Sequence, residues 1–198
     1  MADEQSPVFT SSSSRLPSTA LPSTALPKGY TLQSGYPPIP DYLHLRAATG
    51  LSPKTVAQAA PIPQGSWYGC YITYTPASPS PDGTTTTTTT TTTPSNLKDS
   101  IVAMGRVIGD GGWYFLIADM AVLPEHQRKG LGDAVLKQLL EHIRTHAPRD
   151  EDENGAWPYV TLFADGPGRK LYKKNGFVES LPIGQMGMSL PQGWEKDN

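Results

Sequence analysis

The chain has 198 residues with 16 basic and 18 acidic side chains, and its net charge of −2 argues against nucleic acid or an anionic membrane surface as a partner. Its single cysteine, Cys70, excludes an internal disulfide framework and a cysteine-based zinc cluster, and the four histidines lack the spacing of metal ligands. Because no apolar run approaches the roughly 20 residues of a membrane span and no secretory signal is present, we expect one soluble, cytoplasmic domain with disordered ends.

Two low-complexity segments are predicted to lie outside the core. Residues 1–28 are rich in Ser, Thr and Pro and duplicate "LPSTA", so they are predicted to form a disordered tail. A second segment, at about residues 76–97, contains ten consecutive threonines and has no face that could pack, which favours a solvent loop inserted in a hairpin. The domain itself is predicted over residues 29–192, followed by a short tail over residues 193–198.

The first half of the domain begins with a predicted strand and two helices. "YTLQSGY" is typical of a short strand, and "PDYLHLRAATG" predicts a helix that ends at Gly50. "SPKTVAQAA" predicts a second helix, with Ser52 as N-cap and Pro53 at its first position. The next strand, "SWYGCYITY", is expected to pair across the threonine-rich loop with "SIVAMGRVI".

The second half alternates strands and helices. The β-rich runs over residues 100–108 and 113–122 are joined by "GDGG", a hairpin signal, and an apolar stripe over residues 130–146 predicts a long amphipathic helix. "AWPYVTLFA" predicts a buried strand, "GRKLYKKNGF" a short helix, and "FVESL" and "GQMGMSL" two closing strands. This order predicts a mixed α/β domain built around one sheet.

The turn before the long helix has the features of an anion site. In "QRKGLG" the glycines let a ligand approach the backbone, and the first N–H groups of the helix have no partner within it. The turn therefore predicts a phosphate or pyrophosphate ligand. A dinucleotide fingerprint is excluded because position 135 is Val, and a triphosphate loop is excluded because Asp133 and Ala134 follow Gly132.

"QRKGLG", preceded by "DMAVLPEH" and followed by "LYKKNGF", resembles the motifs of the GNAT superfamily of acetyl-CoA-dependent N-acetyltransferases. The resemblance covers about residues 30–190. It implies a central mixed, largely antiparallel sheet flanked by helices, with acetyl-CoA as co-substrate and no metal. Two positions depart from the family pattern: Asp165 stands where the family often has Asn, and Gly168 where it often has Ala.

The resemblance also implies roles for individual residues. A splayed strand end is expected to pair with the pantetheine arm, the glycine turn to hold the pyrophosphate, and Tyr172 to donate a proton to the departing thiolate. The residues expected to bind the co-substrate are Met120, Ala121, Val122, Gln127, Arg128, Lys129, Gly130, Leu131, Gly132, Asp133, Asp165 and Tyr172.

The acceptor side is less defined by the sequence. Asp119 is the only carboxylate within "WYFLIADMAV", and an acid in an apolar strand is solvated, paired or functional, so structural hydrogen bonding and a role as base or amine-orienting group both stay open. A small primary amine is the expected acceptor, with a peptide amine or a non-catalytic acyl-CoA-binding module as alternatives, in a monomer or homodimer. Six aromatic residues are candidates for the acceptor wall: Tyr36, Tyr42, Trp67, Tyr68, Trp113 and Tyr114.

Overall fold

A computed structural model describes residues 25–76, 100–148 and 157–185, with five strands and five α-helices in those ranges. The threonine-rich segment, most of the N-terminal tail and the C-terminal tail lie outside the described residues. The strands are β1 (Tyr30–Ser34), β2 (Tyr68–Tyr74), β3 (Ser100–Gly109), β4 (Tyr114–Val122) and β5 (Tyr159–Leu162). The helices are α1 (Ile39–Ala48), α2 (Val56–Ala59), α3 (Ile62–Gly65), α4 (Leu131–His146) and α5 (Arg169–Lys174).

The strands form one sheet in the order β1-β2-β3-β4-β5, antiparallel except for the parallel pair β4 and β5. This arrangement confirms the predicted mixed, largely antiparallel sheet flanked by helices. Tyr74 at the end of β2 lies opposite Ser100 at the start of β3, so the two strands pair on either side of the threonine-rich segment. The "GDGG" turn joins β3 to β4, and the Asp110 carboxylate accepts the N–H of Gly112 at 2.8 Å.

The long helix α4 packs on one face of the sheet, against β2, β3 and β4. Gly105 of β3 permits this approach, because a Cβ at that position would lie 2.5 Å from the Met120 sulfur and 2.8 Å from Val135. Asp119 faces the other side, where it bonds to side chains of α1. The predicted apolar stripe of α4 is buried in the core: Leu131, Val135, Leu136, Leu139 and Ile143.

Two features of the first half of the domain differ from the prediction. Ser52 does not cap a helix; its carbonyl oxygen and hydroxyl accept hydrogen bonds from Arg46, so its polar atoms are used by a tertiary contact. The cap is Thr55, which forms a capping box with Gln58 at the start of α2. The short helix α3 follows it and was not predicted.

The last strand prediction also needs correction. β5 lies at the edge of the described sheet rather than in its centre, and Tyr159 is 38% exposed. "FVESL" forms no strand, and a 3-10 turn begins at its last residue, Leu181. Most of "GQMGMSL" lies outside the described residues. β propensity alone does not make a strand, because a strand also depends on packing against its neighbours.

Contacts with the core begin within the segment predicted as the N-terminal tail. Leu26 is partly buried against the core, and Tyr30 donates its N–H to the carbonyl of Pro27 at 3.2 Å. Across the three described ranges, no helix is both long enough and apolar enough to cross a membrane.

Candidate active site

The last residues of β4 pair with a neighbouring strand on one side only, among the described residues. β5 pairs with β4 only as far as Ile117, which lies opposite Leu162. A bulge follows, where β4 has one more residue than β3 and Asp119 adopts a φ of +53°. Met120 is the second residue of the bulge, and Ala121 and Val122 beyond it pair with β3; none of the three pairs with a strand on the other side among the described residues. These are the positions expected to pair with an extended ligand.

The glycine turn begins at Gln127, after a short 3-10 turn (Pro124–His126), and leads into α4. Arg128 and Gly130 both have left-handed backbone conformations, with φ values of +60° and +81°. Gly130 is the N-cap of α4, and no side chain among the described residues caps the helix. A Cβ built at Gly130 meets nothing within 4 Å, whereas one at Gly132 would lie 3.4 Å from Leu171. The space beside Gly130 is therefore open, and the first N–H groups of a helix, which have no partner within it, are suited to an anion cradle there.

Among the described residues, two side chains of the turn form hydrogen bonds within the protein, and one does not. Gln127 turns back and donates to the carbonyl of Val122 at 3.0 Å, which ties the turn to the end of β4. Lys129 donates to the Tyr30 hydroxyl at 3.0 Å and to the backbone carbonyl of Glu125, just before the turn, at 3.0 Å. Arg128 is exposed and makes no side-chain contact among the described residues, so its guanidinium is the cation left to meet an anion there.

Asp133 does not point into the cradle with its side chain. Its buried carboxylate accepts hydrogen bonds from Asn175 at 2.9 Å and Lys174 at 3.2 Å, and it pairs with Lys137 at 2.9 Å. Burial raises the pKa of Asp133, but these three partners outweigh burial and lower the pKa to about 2. Only the backbone N–H of Asp133 is therefore suited to bind an anion.

Tyr172 lies on α5, which packs beside the start of α4 through the contact of Leu171 with Gly132. Its ring is partly buried against the core and meets Phe177 edge-on at 6.0 Å between centroids. Its hydroxyl has no hydrogen-bond partner in the described part of the chain. Burial, and then the charge of Asp165, raise the pKa of Tyr172, so the phenol is protonated at neutral pH. Asp165 itself is exposed after β5.

Asp119 is the centre of a charged network on the α1 face of the sheet. Its carboxylate accepts hydrogen bonds from Tyr42 and from Arg106, each at 2.5 Å, and forms an ion pair with Arg46. Burial raises the pKa of Asp119, but the hydrogen bonds of Tyr42 and Arg106 outweigh it and lower the pKa overall. A carboxylate held in this way is a poor proton acceptor. The geometry therefore favours a structural, hydrogen-bonded role for Asp119 over a role as general base.

A cleft opens beside this network, next to the bulge of β4. Tyr36 and Tyr42 form its aromatic side, and burial raises the pKa of both phenols. The lining residues are Tyr36, Pro37, Tyr42, Met104, Gly105, Arg106 and Asp119.

The other four aromatic residues named as candidates for the acceptor wall do not line this cleft. Trp67 and Tyr68 pack on His142 of α4, at 4.9 and 3.6 Å between ring centroids, and so lie on the opposite face of the sheet. Trp113 and Tyr114 lie at the start of β4, with Trp113 62% exposed. Side-chain alternation along the strands and their distance from the bulge separate these rings from the cleft.

Sequence reasoning missed both arginines of the network. Arg106 stands alone in the apolar run "SIVAMGRVI", as Asp119 does in "WYFLIADMAV". The two runs were predicted to form a hairpin, so opposite charges buried in paired strands were a usable signal for a contact. Arg46 carried no such signal, because one basic residue in a helix is ordinarily solvated. In the described ranges, no group of three or more His, Cys, Asp or Glu side chains could hold a metal ion.

Known proteins share this architecture and its motifs. A family profile described as "Acetyltransferase (GNAT) domain" matches residues 95–179. The structure resembles that of a probable acetyltransferase of unknown function from meticillin-resistant Staphylococcus aureus, with a TM-score of 0.61 and 30% sequence identity. That similarity covers 82% of this chain and 98% of the bacterial one. The chain therefore belongs to the GNAT family of acetyltransferases.

Curated relatives match a shorter stretch. The chain is 32% identical over 88 residues to the uncharacterized N-acetyltransferase ycf52 of Pyropia yezoensis, a match that covers 44% of this chain and 45% of the relative. It is 34% identical over 93 residues to the histone acetyltransferase TAP1 of Glycine max, covering 47% of this chain and 36% of that protein. The matches thus span less than half the length of these relatives.

Proposed function

We propose that the chain is an N-acetyltransferase that moves an acetyl group from acetyl-CoA directly to a primary amine. The observation that carries this proposal is the continuity of two features, the free edge at residues 120–122 and the open glycine turn that begins at Gln127. An extended chain that ends in a pyrophosphate matches this combination of a strand edge and an anion cradle. Membership of the GNAT family supports the same reading.

The residues of the chain fit acetyl-CoA as co-substrate. The empty space in front of Gly130, which a Cβ would enter, suits a pyrophosphate held by the N–H groups of the first turn of α4 and by Arg128. The backbone of residues 120–122 suits the amides of the pantetheine arm. When bound, acetyl-CoA supplies the acetyl group as a thioester whose sulfur is a good leaving group.

In the proposed transfer, a bond forms between the amine nitrogen and the acetyl carbon as the carbon–sulfur bond breaks. The amine loses one proton to solvent, and the sulfur gains one. The Tyr172 hydroxyl is suited to hold that second proton, because its raised pKa keeps it protonated and no described side chain competes for it. A backbone N–H at the bulge of β4 is suited to polarise the thioester carbonyl.

A covalent acetyl-enzyme formed on cysteine is not part of the proposal. Cys70 is buried on the α4 face of the sheet, where its thiol lies 3.7 Å from the Val135 carbonyl. Burial raises the pKa of Cys70 to about 12, so the thiolate is scarce at neutral pH. Direct transfer is the simpler chemistry for this site.

The proposed acceptor is a small amine bound in the cleft beside Asp119. The cleft lies at the bulge, directly before the strand edge proposed for the pantetheine arm, and its lining consists of a few close residues. A peptide amine is the second candidate, because the chain is similar to a protein named histone acetyltransferase. We place the activity in the cytoplasm, without a metal ion.

Thiol release from acetyl-CoA, measured over a panel of small amines and lysine peptides, tests the proposal. Saturable release with a small amine is expected, together with acetyl-CoA binding in calorimetry. Release with peptides alone would transfer the assignment to the second candidate. Acetyl-CoA binding without release on any amine would instead support a non-catalytic acyl-CoA-binding module.

A further inference from the structure

The side chains beside the cleft carry more positive than negative charge. One carboxylate, that of Asp119, faces two guanidiniums, those of Arg46 and Arg106. Among the described residues that line the cleft or bond to its lining, no other side chain is charged, since Tyr36 and Tyr42 are neutral phenols. The cleft therefore has one positive charge in excess, next to the position proposed for the reacting amine.

The two arginines have different roles in the network. Arg46 is almost fully buried and directs Nε and Nη2 to the carbonyl of Ser52, at 3.2 and 2.9 Å, so its donors are used within the fold. Arg106 uses Nε for Asp119 and Nη1 for the Ser66 hydroxyl, at 2.8 Å. Its Nη2 has no hydrogen-bond partner among the described residues.

The unpaired Nη2 nitrogen of Arg106 is accessible to solvent. No fully buried side-chain nitrogen or oxygen in the described ranges lacks a partner, so an unpaired Nη2 must be accessible to solvent, and Arg106 lines the cleft. Guanidinium N–H groups bind carboxylate and phosphate oxygens strongly, in a planar geometry. Arg106 therefore has N–H donors on Nη2 that can bind an anion and that form no hydrogen bond within the described part of the protein.

The distance to the strand edge limits the size of the ligand. Arg106 lies opposite Ala118 on β4, two residues before Met120. At about 3.3 Å per residue, the backbone of Arg106 lies roughly 7 Å along the strand from Met120, and its guanidinium bonds to Asp119, the residue directly before the edge proposed for the pantetheine arm. A short linker between an anion and an amine spans this distance.

We propose that the acceptor is a small amine that carries a carboxylate or phosphate a few bonds from the reacting nitrogen, and that Arg106 binds this anion. The inference rests on the proposed acetyl transfer and narrows its substrate class. The excess positive charge serves the same chemistry, because it disfavours the ammonium form of a bound amine and so favours the neutral nucleophile.

Four acceptors of similar length test the inference in thiol-release assays at one pH. β-Alanine carries a carboxylate, O-phosphoethanolamine a phosphate, propylamine no second charge, and 1,3-diaminopropane a second cation. At least one anionic acceptor should exceed propylamine by about tenfold or more in kcat/KM, the usual scale of one charge-assisted hydrogen bond. The better of the two identifies the anion. Equal or reversed preference in the parent protein would overturn the inference.

Variants of Arg106 separate anion binding from a structural role. Arg106→Gln should lower kcat/KM for the anionic acceptor about tenfold more than it lowers kcat/KM for propylamine, and Arg106→Lys should restore part of this difference. Arg144→Gln is the matched control, because it removes the same charge from a pair with Glu141 on α4, outside the cleft, and should leave the preference intact. An equal loss for all four acceptors in Arg106→Gln would show that the residue only supports the fold.

Direct binding distinguishes failure of this inference from failure of the proposed function. O-Phosphoethanolamine, β-alanine and propylamine are titrated calorimetrically into the full chain without acetyl-CoA. If no amine is acetylated, the proposed transfer fails, but tighter binding of an anionic amine that Arg106→Gln weakens about tenfold still supports the anion site. Binding of the anionic amines no tighter than that of propylamine overturns it.

Discussion

At the scale of single residues, the cradle depends most on Gly130. Its φ of +81° is a conformation that other L-residues adopt only with strain, and a Cβ there would enter the open space in front of α4. A substitution at this position therefore has two separable effects. Backbone strain lowers the stability of the fold, and the added carbons obstruct an anion that approaches the helix.

Gly130→Val is expected to weaken acetyl-CoA binding more than about tenfold, which is about 1.4 kcal/mol or more of binding free energy. Calorimetry measures the affinity. Gly50→Val is the matched control, because Gly50 also has a positive φ, +79°, and open space around its Cβ, but lies after α1. It should lose similar stability and keep the affinity. Unchanged affinity in a folded Gly130→Val protein would refute the cradle.

Tyr172→Phe tests the proton donor, because it keeps the ring and its packing and deletes the hydroxyl. We expect kcat to fall by ~10²-fold with little change in acetyl-CoA affinity, since no described side chain bonds to that hydroxyl in the fold. Tyr159→Phe on β5 is the control, as it removes a hydroxyl that donates to Gln185 at 3.1 Å. A folded Tyr172→Phe protein within about threefold of the parent rate, with chemistry rate-limiting, would exclude the role.

At the scale of secondary structure, one carboxylate holds two helices together. Asp133 in the first turn of α4 accepts from Asn175, just after α5, and from Lys174 at its end. This contact positions α5, and with it Tyr172, beside the glycine turn. An acidic residue near a helix N-terminus is also favoured by the helix dipole.

Asp133→Asn is expected to destabilise the protein in a pH-dependent way. The folded-state pKa of about 2 lies below the ordinary value of 3.8, so ionised Asp133 adds about 2 kcal/mol of stability. This contribution is fully present above pH 3.8 and is lost as the pH falls through about 2. Urea unfolding at pH 7 should show the loss, and the two proteins should converge near pH 2.

Glu141→Gln is the control for that measurement. It also removes a carboxylate of α4, but one that pairs with Arg144 in a more exposed position, so a loss below about 1 kcal/mol is expected. A cost for Asp133→Asn that is equally small at pH 7, or that is the same at pH 7 and pH 2, would show that the charge of Asp133 does not hold α5 in place.

At the scale of the whole molecule, the fold tolerates a long connection within its central hairpin. Tyr74 and Ser100 lie opposite each other, so the residues between them begin and end side by side. Loop-closure entropy grows only with the logarithm of length, so the size of such an insertion has a small effect on stability.

Deletion of residues 1–24 together with shortening of residues 79–94 should leave the melting temperature and acetyl-CoA affinity nearly unchanged. Extending the deletion through residue 28 should lower stability measurably, because Leu26 packs against the core. Thermal and denaturant unfolding compare the two shortened proteins with the full chain. A loss of more than about 2 kcal/mol in the shorter deletion would show that one of the removed segments packs after all.

Helices and turns that depend on residues close together in the chain could be predicted from the sequence. The apolar stripe of α4 repeats with the period of a helix, "GDGG" demands a hairpin, and the glycines of "QRKGLG" mark the turn at the helix N-terminus. Such features depend on residues a few positions apart, so spacing reveals them. Where an element needed a distant partner, as the strand predicted at "FVESL" did, the local pattern was insufficient.

The hydrogen-bond and ion-pair partners of the polar residues in the site could be identified only from the tertiary structure. Asp119 is 73 residues from Arg46 and 13 from Arg106, and no periodicity predicts that both guanidiniums reach one carboxylate. Asp133 belongs to the glycine motif, yet its side chain turns away to residues more than 40 positions later. A buried charge must pair with polar groups within about 3 Å, because an unpaired buried charge is costly. Which groups lie that close depends on how separate helices and strands pack in three dimensions.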